Sequence, residues 1–240
     1  MIQDLDIDKL PQGYYTQSGT VLQRRDTVKN GQSLLLFLRD LGPRWVSAPS
    51  GSAKNRFGGA VEPMVWGTYS LYQSPNRLYL QGAEVKEDFL SLRSSPDKLN
   101  AALGFYKKVL KVLMNSHASN DVLTLLWSCM LLLGEDIDSS AAEFRFTWRL
   151  LNLAGCAPSL QHCVLCGARL IKGKSYWNND GGICCDNCSL GVAQEAVPLC
   201  DLQYAALLSH ENFIKWSLKT EHKNLYKEYT GKLLNYFDML

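Results

Sequence analysis

Apolar and polar side chains alternate with a period of two through the first third of the chain. The alternation is clearest where Val65, Gly67, Tyr69 and Leu71 interleave with Trp66, Thr68, Ser70 and Tyr72. Similar segments predict strands at Tyr14 to Arg24, Gln32 to Arg39, Arg44 to Ala48, Met64 to Tyr72 and Arg77 to Gly82. Pro75-Asn76 reads as a hairpin turn. Five short strands separated by turn signals predict a small barrel or sandwich over residues 13–85. Residues 1–12, with Asp4, Asp6 and Asp8, read as a flexible acidic arm.

After Val85 the period becomes helical, and residues 86–240 read as an α-helical domain. Ser95-Pro96 is an N-cap followed by proline at the first helical position. The helix it opens runs to about Met114, with a stripe of Leu99, Leu103, Tyr106, Leu110 and Leu113. Asp121 to Leu133 is apolar on most sides and predicts a central helix. Ser140 and Glu143 form a capping box that opens a helix through Leu153, which Gly155 ends and Pro158 keeps from resuming. Glu135, Asp136, Asp138 and Glu143 are acids at a helix start, where the macrodipole favours them. Further helices are predicted at Asp201 to His210 and Glu211 to Phe237.

A cysteine-rich insert at about 160–190 interrupts this helical domain. Cys163-x2-Cys166 and Cys185-x2-Cys188 are separated by 18 residues, the spacing of a four-thiolate zinc ribbon. Two residues between ligands make a tight turn that aims both sulfurs at one ion. Gly167 and Gly181-Gly182 supply the left-handed positions such knuckles need. Cys184 has three residues, not two, between it and Cys188, so Cys185 is the better ligand. His162 directly precedes Cys163 and fits the same tetrahedron poorly. Ser175-Tyr176-Trp177 predicts a strand and residues 178–181 a turn. The site is closed, with one structural Zn2+ and no open position for a substrate. Its metal positions the Lys172-Gly173-Lys174 loop. Cys129, Cys156 and Cys200 read as small core residues.

Composition adds limits. Apolar content of 46% and charged content of 20% describe an ordinary folded chain. The apolar runs at Leu34 to Leu38 and Met130 to Leu133 are too short to span a bilayer, and no signal-peptide pattern opens the sequence. A cytoplasmic chain with reduced thiols is expected, in which paired cysteines bind metal. No phosphate-binding glycine loop and no paired-carboxylate motif is present, so no enzyme is expected.

Net charge is only +2, yet positive charge is concentrated on the presumed barrel. Between Tyr14 and Val61 seven cations face Asp26 and Asp40 alone, a local excess of five. Arg24, Lys29, Arg39, Arg44, Lys54 and Arg56 are the candidate DNA-binding residues, and Arg25 points to the face opposite Arg24. Trp45, Phe57, Tyr69, Tyr72 and Tyr79 are either base-stacking platforms or barrel core. Arg145 and Arg149 share one helix face and would rim a site for an acidic, apolar-ended peptide, with Phe146 and Trp148 turned to the core. Lys215, Lys219, Lys223 and Lys227 step by four, as a second DNA face or a solvated one.

Two blocks are more specific. One is Lys54-Asn55-Arg56-Phe57-Gly58-Gly59-Ala60-Val61-Glu62-Pro63. The other runs from Arg145-Phe146-Thr147-Trp148-Arg149 to Pro158 and leads into the paired cysteines. Together they resemble the bacterial recombination mediator family RecO, over nearly the whole chain. The resemblance implies an α+β chain, with an N-terminal five-stranded OB-fold β-barrel followed by an α-helical domain carrying the inserted four-cysteine zinc ribbon. It implies binding of single- and double-stranded DNA and annealing of complementary strands. It also implies partnership with RecR and with the C-terminal tail of single-stranded-DNA-binding protein, in loading RecA. The family's basic cluster before the glycine pair is replaced here by Ala48-Pro49-Ser50-Gly51-Ser52-Ala53, which predicts a weaker or shifted DNA surface. The competing expectations are a zinc-ribbon, OB-type adaptor for RNA or transcription, and a thiol redox enzyme using Cys163 and Cys166.

Overall fold

The computed structural model describes residues 10–26, 31–48, 57–115, 120–171, 174–178, 181–189, 196–219 and 223–239. The chain divides into two compact units, residues 1–130 and 131–240. The division falls inside a helix.

In the first unit five strands close a barrel: β1 (Gly13–Asp26), β2 (Gln32–Leu38), β3 (Gly42–Ala48), β4 (Trp66–Gln73) and β5 (Leu78–Glu87). The order around the barrel is β1-β2-β3-β5-β4, and β1 pairs with both β2 and β4. Closure comes from the parallel pair β3–β5, through Val46↔Leu78 and Ser47↔Tyr79. This is the expected five-stranded OB-type barrel. Val21, Leu34, Leu36, Leu38, Val46, Tyr69, Leu71, Leu78 and Leu80 fill its interior. The β4–β5 turn is tied by Ser74, whose hydroxyl accepts from the backbone N–H of Arg77 at 3.1 Å.

β1 and β4 pair through Gly19↔Gly67, and neither position can carry a side chain. A Cβ on Gly19 would overlap the Phe37 carbonyl oxygen, and one on Gly67 would overlap that of Glu84. Gly19→Ala is therefore expected to destabilise the barrel by more than about 2 kcal/mol, because the obstacle is backbone rather than a mobile side chain. Chemical denaturation measures it; a change below about 0.5 kcal/mol would show that the strands separate freely.

Leu35 and Phe37 point away from the barrel interior yet are only 1% exposed. Part of the cover is α1 (Pro96–Asn115). Its Tyr106 hydroxyl meets Thr20 Oγ1 at 2.8 Å and accepts from Trp66 Nε1 at 2.9 Å. Phe37 sits in the same cross-strand row as Thr20 and Trp66. Burial holds the Tyr106 hydroxyl protonated, far above its usual range. The buried stripe of α1 is Ala101, Ala102, Phe105, Tyr106, Val109, Val112 and Leu113, while Leu103 is exposed. The leucine stripe read from the sequence was rotated, because small alanines and valines do the close packing. α2 (Asn120–Gly134) buries Val122, Leu125, Leu126, Cys129, Met130 and Leu133, as a central helix should.

In the second unit α3 (Ser139–Leu153) packs against α4 (Leu199–Leu207) and α6 (Lys223–Leu234), with α5 (His210–Ser217) between the last two in sequence. The cap of α3 differs from the capping box expected. Asp138 is the N-cap and accepts from the backbone N–H of Ser140 at 2.9 Å. Its end is as expected: Gly155 has φ +78°, and Cys156 N–H donates to the Leu151 carbonyl at 3.0 Å. The expected helix over 211–237 is two helices, so the lysines at 215, 219, 223 and 227 form no continuous ladder. Ser209 caps α5, accepting from Asn212 N–H at 3.3 Å. Among the described residues no helix is long and apolar enough to cross a membrane.

Candidate metal centre and nucleic-acid interface

The cysteine insert folds as two knuckles on a short hairpin. β6 (Ser175–Trp177) pairs antiparallel with β7 (Ile183–Cys185). The first knuckle closes when Gly167 N–H donates to the Cys163 carbonyl at 2.9 Å, with Gly167 at φ +72°. The second is the short 3-10 turn Asp186–Cys188. Val164 N–H donates to the Ile183 carbonyl at 2.9 Å and holds the knuckles side by side.

The Sγ atoms of Cys163, Cys166, Cys185 and Cys188 all lie within 4.8 Å of one another. Cys166 and Cys185 are 3.8 Å apart, which is about the sulfur–sulfur edge of a tetrahedron with 2.3 Å metal–sulfur bonds. Cys185 N–H points at Cys163 Sγ at 3.4 Å. Burial pushes the Cys163 thiol up, but the backbone N–H groups of Cys166, Cys185 and Leu165 outweigh it and bring it down to about 6. Hydrogen bonds that the Cys188 thiol donates toward Cys166 and Cys185 hold its proton and push it up to about 12. Four cysteine sulfurs gathered this closely are the donor set that suits a thiophilic cation, whose binding displaces thiol protons. Cys184 is buried outside this set, and His162 is exposed. Cys200 is exposed rather than core.

The ribbon is docked on its own unit. Trp177 meets Tyr229 at 5.5 Å and Tyr236 at 6.5 Å, with Lys232 Nζ 4.4 Å over the Tyr229 ring. The Lys172-Gly173 part of the loop it was expected to position lies outside the described residues.

Arg145 has a different place from the one expected. It is 1% exposed rather than on a cationic rim. Its guanidinium donates to the carbonyls of Ala205 at 2.9 Å and Leu208 at 2.7 Å, and lies 4.7 Å over the Phe213 ring. Arg149 donates to Ala206 and Leu208 carbonyls, each at 2.8 Å. Both cations therefore cap the C-terminal end of α4. Burial, and next the Arg145 charge, lower the pKa of nearby His210.

On the barrel the candidate cations separate. Arg24 is half-buried and ion-paired with Glu62. Arg25 is exposed and lies 4.7 Å over the Trp45 ring. Arg39 is exposed and Arg44 half-buried. Lys29, Lys54 and Arg56 lie outside the described residues. Phe57 and Tyr69 are core, not stacking platforms. Tyr72 and Tyr79 remain half-buried on the outer face, in one cross-strand row with Tyr14. Tyr14 is 82% exposed and stacks on Tyr72 at 4.9 Å. The sequence reading passed over it because only the β1–β4 register aligns the three rings.

A family model described as Recombination protein O C terminal matches residues 93–236, more than half of the chain. The chain is 27% identical over 178 residues to the DNA repair protein RecO of Desulforamulus reducens, covering 73% of this chain and 69% of that one. It is 23% identical over 223 residues to the DNA repair protein RecO of Clostridium novyi, covering 90% and 85%. It is 28% identical over 196 residues to that of Anaeromyxobacter dehalogenans, covering 80% and 76%. With a five-stranded OB-type barrel, a helical C-terminal region and a four-cysteine cluster within it, the chain belongs to the recombination protein O (RecO) family.

Proposed function

We propose that this chain is a non-catalytic DNA-binding mediator of recombinational repair in the bacterial cytoplasm. It binds single- and double-stranded DNA, anneals complementary strands, and works with RecR and the tail of single-stranded-DNA-binding protein to load RecA. The observation that carries this reading is family membership together with the closed barrel, whose segment 14–61 concentrates an excess of five positive charges. Two complementary strands repel through their phosphates. A basic surface that holds both lowers that repulsion and leaves the bases free to pair. No nucleophile, general base or open metal position is needed.

One Zn2+ held by Cys163, Cys166, Cys185 and Cys188 supplies folding free energy to the ribbon and no catalysis. The SSB tail and RecR contact groups other than Arg145, whose fork is turned inward.

The test is the annealing rate of two labelled complementary oligonucleotides with added protein. Acceleration is expected at low salt, falling by orders of magnitude between about 50 and 200 mM salt. Absence of acceleration at low salt by folded, metal-loaded protein overturns the annealing role. Acceleration confined to RNA strands favours the RNA-adaptor alternative.

A further inference from the structure

A cleft of about 240 Å3 opens in the first unit, between the β1–β4 pair and the first half of α2. Its floor is bare backbone. Gly19 and Gly67, which line it, are cross-strand partners, and neither position accepts a Cβ. Trp127 forms a wall. Its half-buried ring lies 4.8 Å from Trp66 and 5.7 Å from Phe89, which stands edge-on to it. Trp66 is itself fixed, its indole N–H bonded to Tyr106. The aromatic wall is thus in place before any ligand arrives. Arg39 and Lys86 also line the cleft; both are exposed. Among the described residues neither forms an ion pair, and no carboxylate lines the cleft.

A flat aromatic face, a backbone floor and two uncompensated cations are the chemistry that recognises a nucleobase with its flanking phosphates. The volume is below that of pockets for drug-sized ligands, roughly 300 Å3 upward. It suits one base, not a peptide segment. We propose that this cleft takes one unstacked base of a single nucleic-acid strand, stacked on Trp127, with adjoining phosphates on Arg39 and Lys86. The proposal rests on the reading that the chain binds single-stranded DNA. It explains how one base is pinned while its neighbours stay free to pair.

The experiment titrates full-length protein with a labelled thymidine oligonucleotide, with thymidine monophosphate in a parallel arm. Thr124 is exposed on α2 and lines the cleft, so Thr124→Phe fills it without touching the core. Thr124→Phe and Trp127→Ala are each expected to weaken oligonucleotide binding by about five- to 100-fold. Thr124→Phe should leave melting unchanged. The paired substitution Arg39→Gln, Lys86→Gln is expected to reduce the salt slope of binding by about 1.4. Equal affinity of Thr124→Phe and the parent chain overturns the cleft and leaves the DNA-binding reading standing. No oligonucleotide binding by the parent chain at low salt overturns both. Monophosphate bound as tightly as the oligonucleotide assigns the cleft to a soluble nucleotide and overturns the strand.

Discussion

A Cys166→Ser chain is expected to carry less than about a tenth of the metal held by the parent chain, and to lose the order of its ribbon. The reason is how little else holds that segment. Its strands are three residues each, and an isolated two-stranded hairpin is marginal in water. Its buried apolar set is small: Leu160, Leu170, Trp177 and Ile183, with Cys163 and Cys184. Metal binding supplies about 10–16 kcal/mol in small zinc modules, far more than such a core can. Three remaining thiolates bind weakly, and a serine oxygen is a poor ligand for a thiophilic ion. Metal analysis after gel filtration measures the first effect. Limited proteolysis measures the second, with cleavage between 163 and 188 expected to quicken about tenfold or more. Cys200→Ser and Cys184→Ser serve as controls, since neither sulfur joins the cluster. Full metal content in Cys166→Ser, with unchanged protease resistance, would show that the ribbon folds without a tetrahedral centre.

The clustering of the four cysteines was legible in the sequence because their spacing is a local property. Two residues between cysteines fix a knuckle wherever it lies in a fold. The barrel was legible for a similar reason: period-two alternation needs only the strand itself. What was not legible depended on distant chain. Leu103 and Leu110 look like a helix stripe, but Phe105, Val109 and Val112 are the positions buried. The pleat separates Tyr69 from Tyr72, but which of the two faces became core was decided by the strands that close the barrel. The row of Tyr14, Tyr72 and Tyr79 exists only once three strands are in register. Arg24 was preferred over Arg25 as a DNA contact; its ion pair with Glu62, 38 residues away, could not be read from the strand itself. The sequence thus located the excess of positive charge but not the surroundings of each cation.

Arg145 is the clearest case, and its replacement by alanine is expected to cost the second unit about 3–5 kcal/mol. On its own helix Arg145 pairs naturally with Arg149 at one-turn spacing, which suggests a cationic rim. The partner that decides its role is 60 residues on. α4 ends at Leu207 without glycine, and Leu208 leaves the helix extended at ψ 151°. No Schellman turn therefore closes the last carbonyls of α4. Arg145 fills that need with a planar fork that reaches Ala205 and Leu208 together. Truncation to alanine removes both bonds, takes the arginine donor from the Ala205 carbonyl, leaves Leu208 with Arg149 alone, and opens a void beside Phe213. Arg145→Lys should recover less than half of the loss, because a single ammonium cannot span two carbonyls with the fixed geometry of guanidinium. Urea unfolding followed by tryptophan fluorescence is the measurement, with a midpoint lowered by more than about 1 M expected for Arg145→Ala. Exposed Lys215→Ala, which loses only a pair with Glu211, should shift it by less than about 0.3 M. If Arg145→Ala unfolds like the parent chain and instead loses an acidic peptide ligand, the side chain faces a partner and the capping role is overturned.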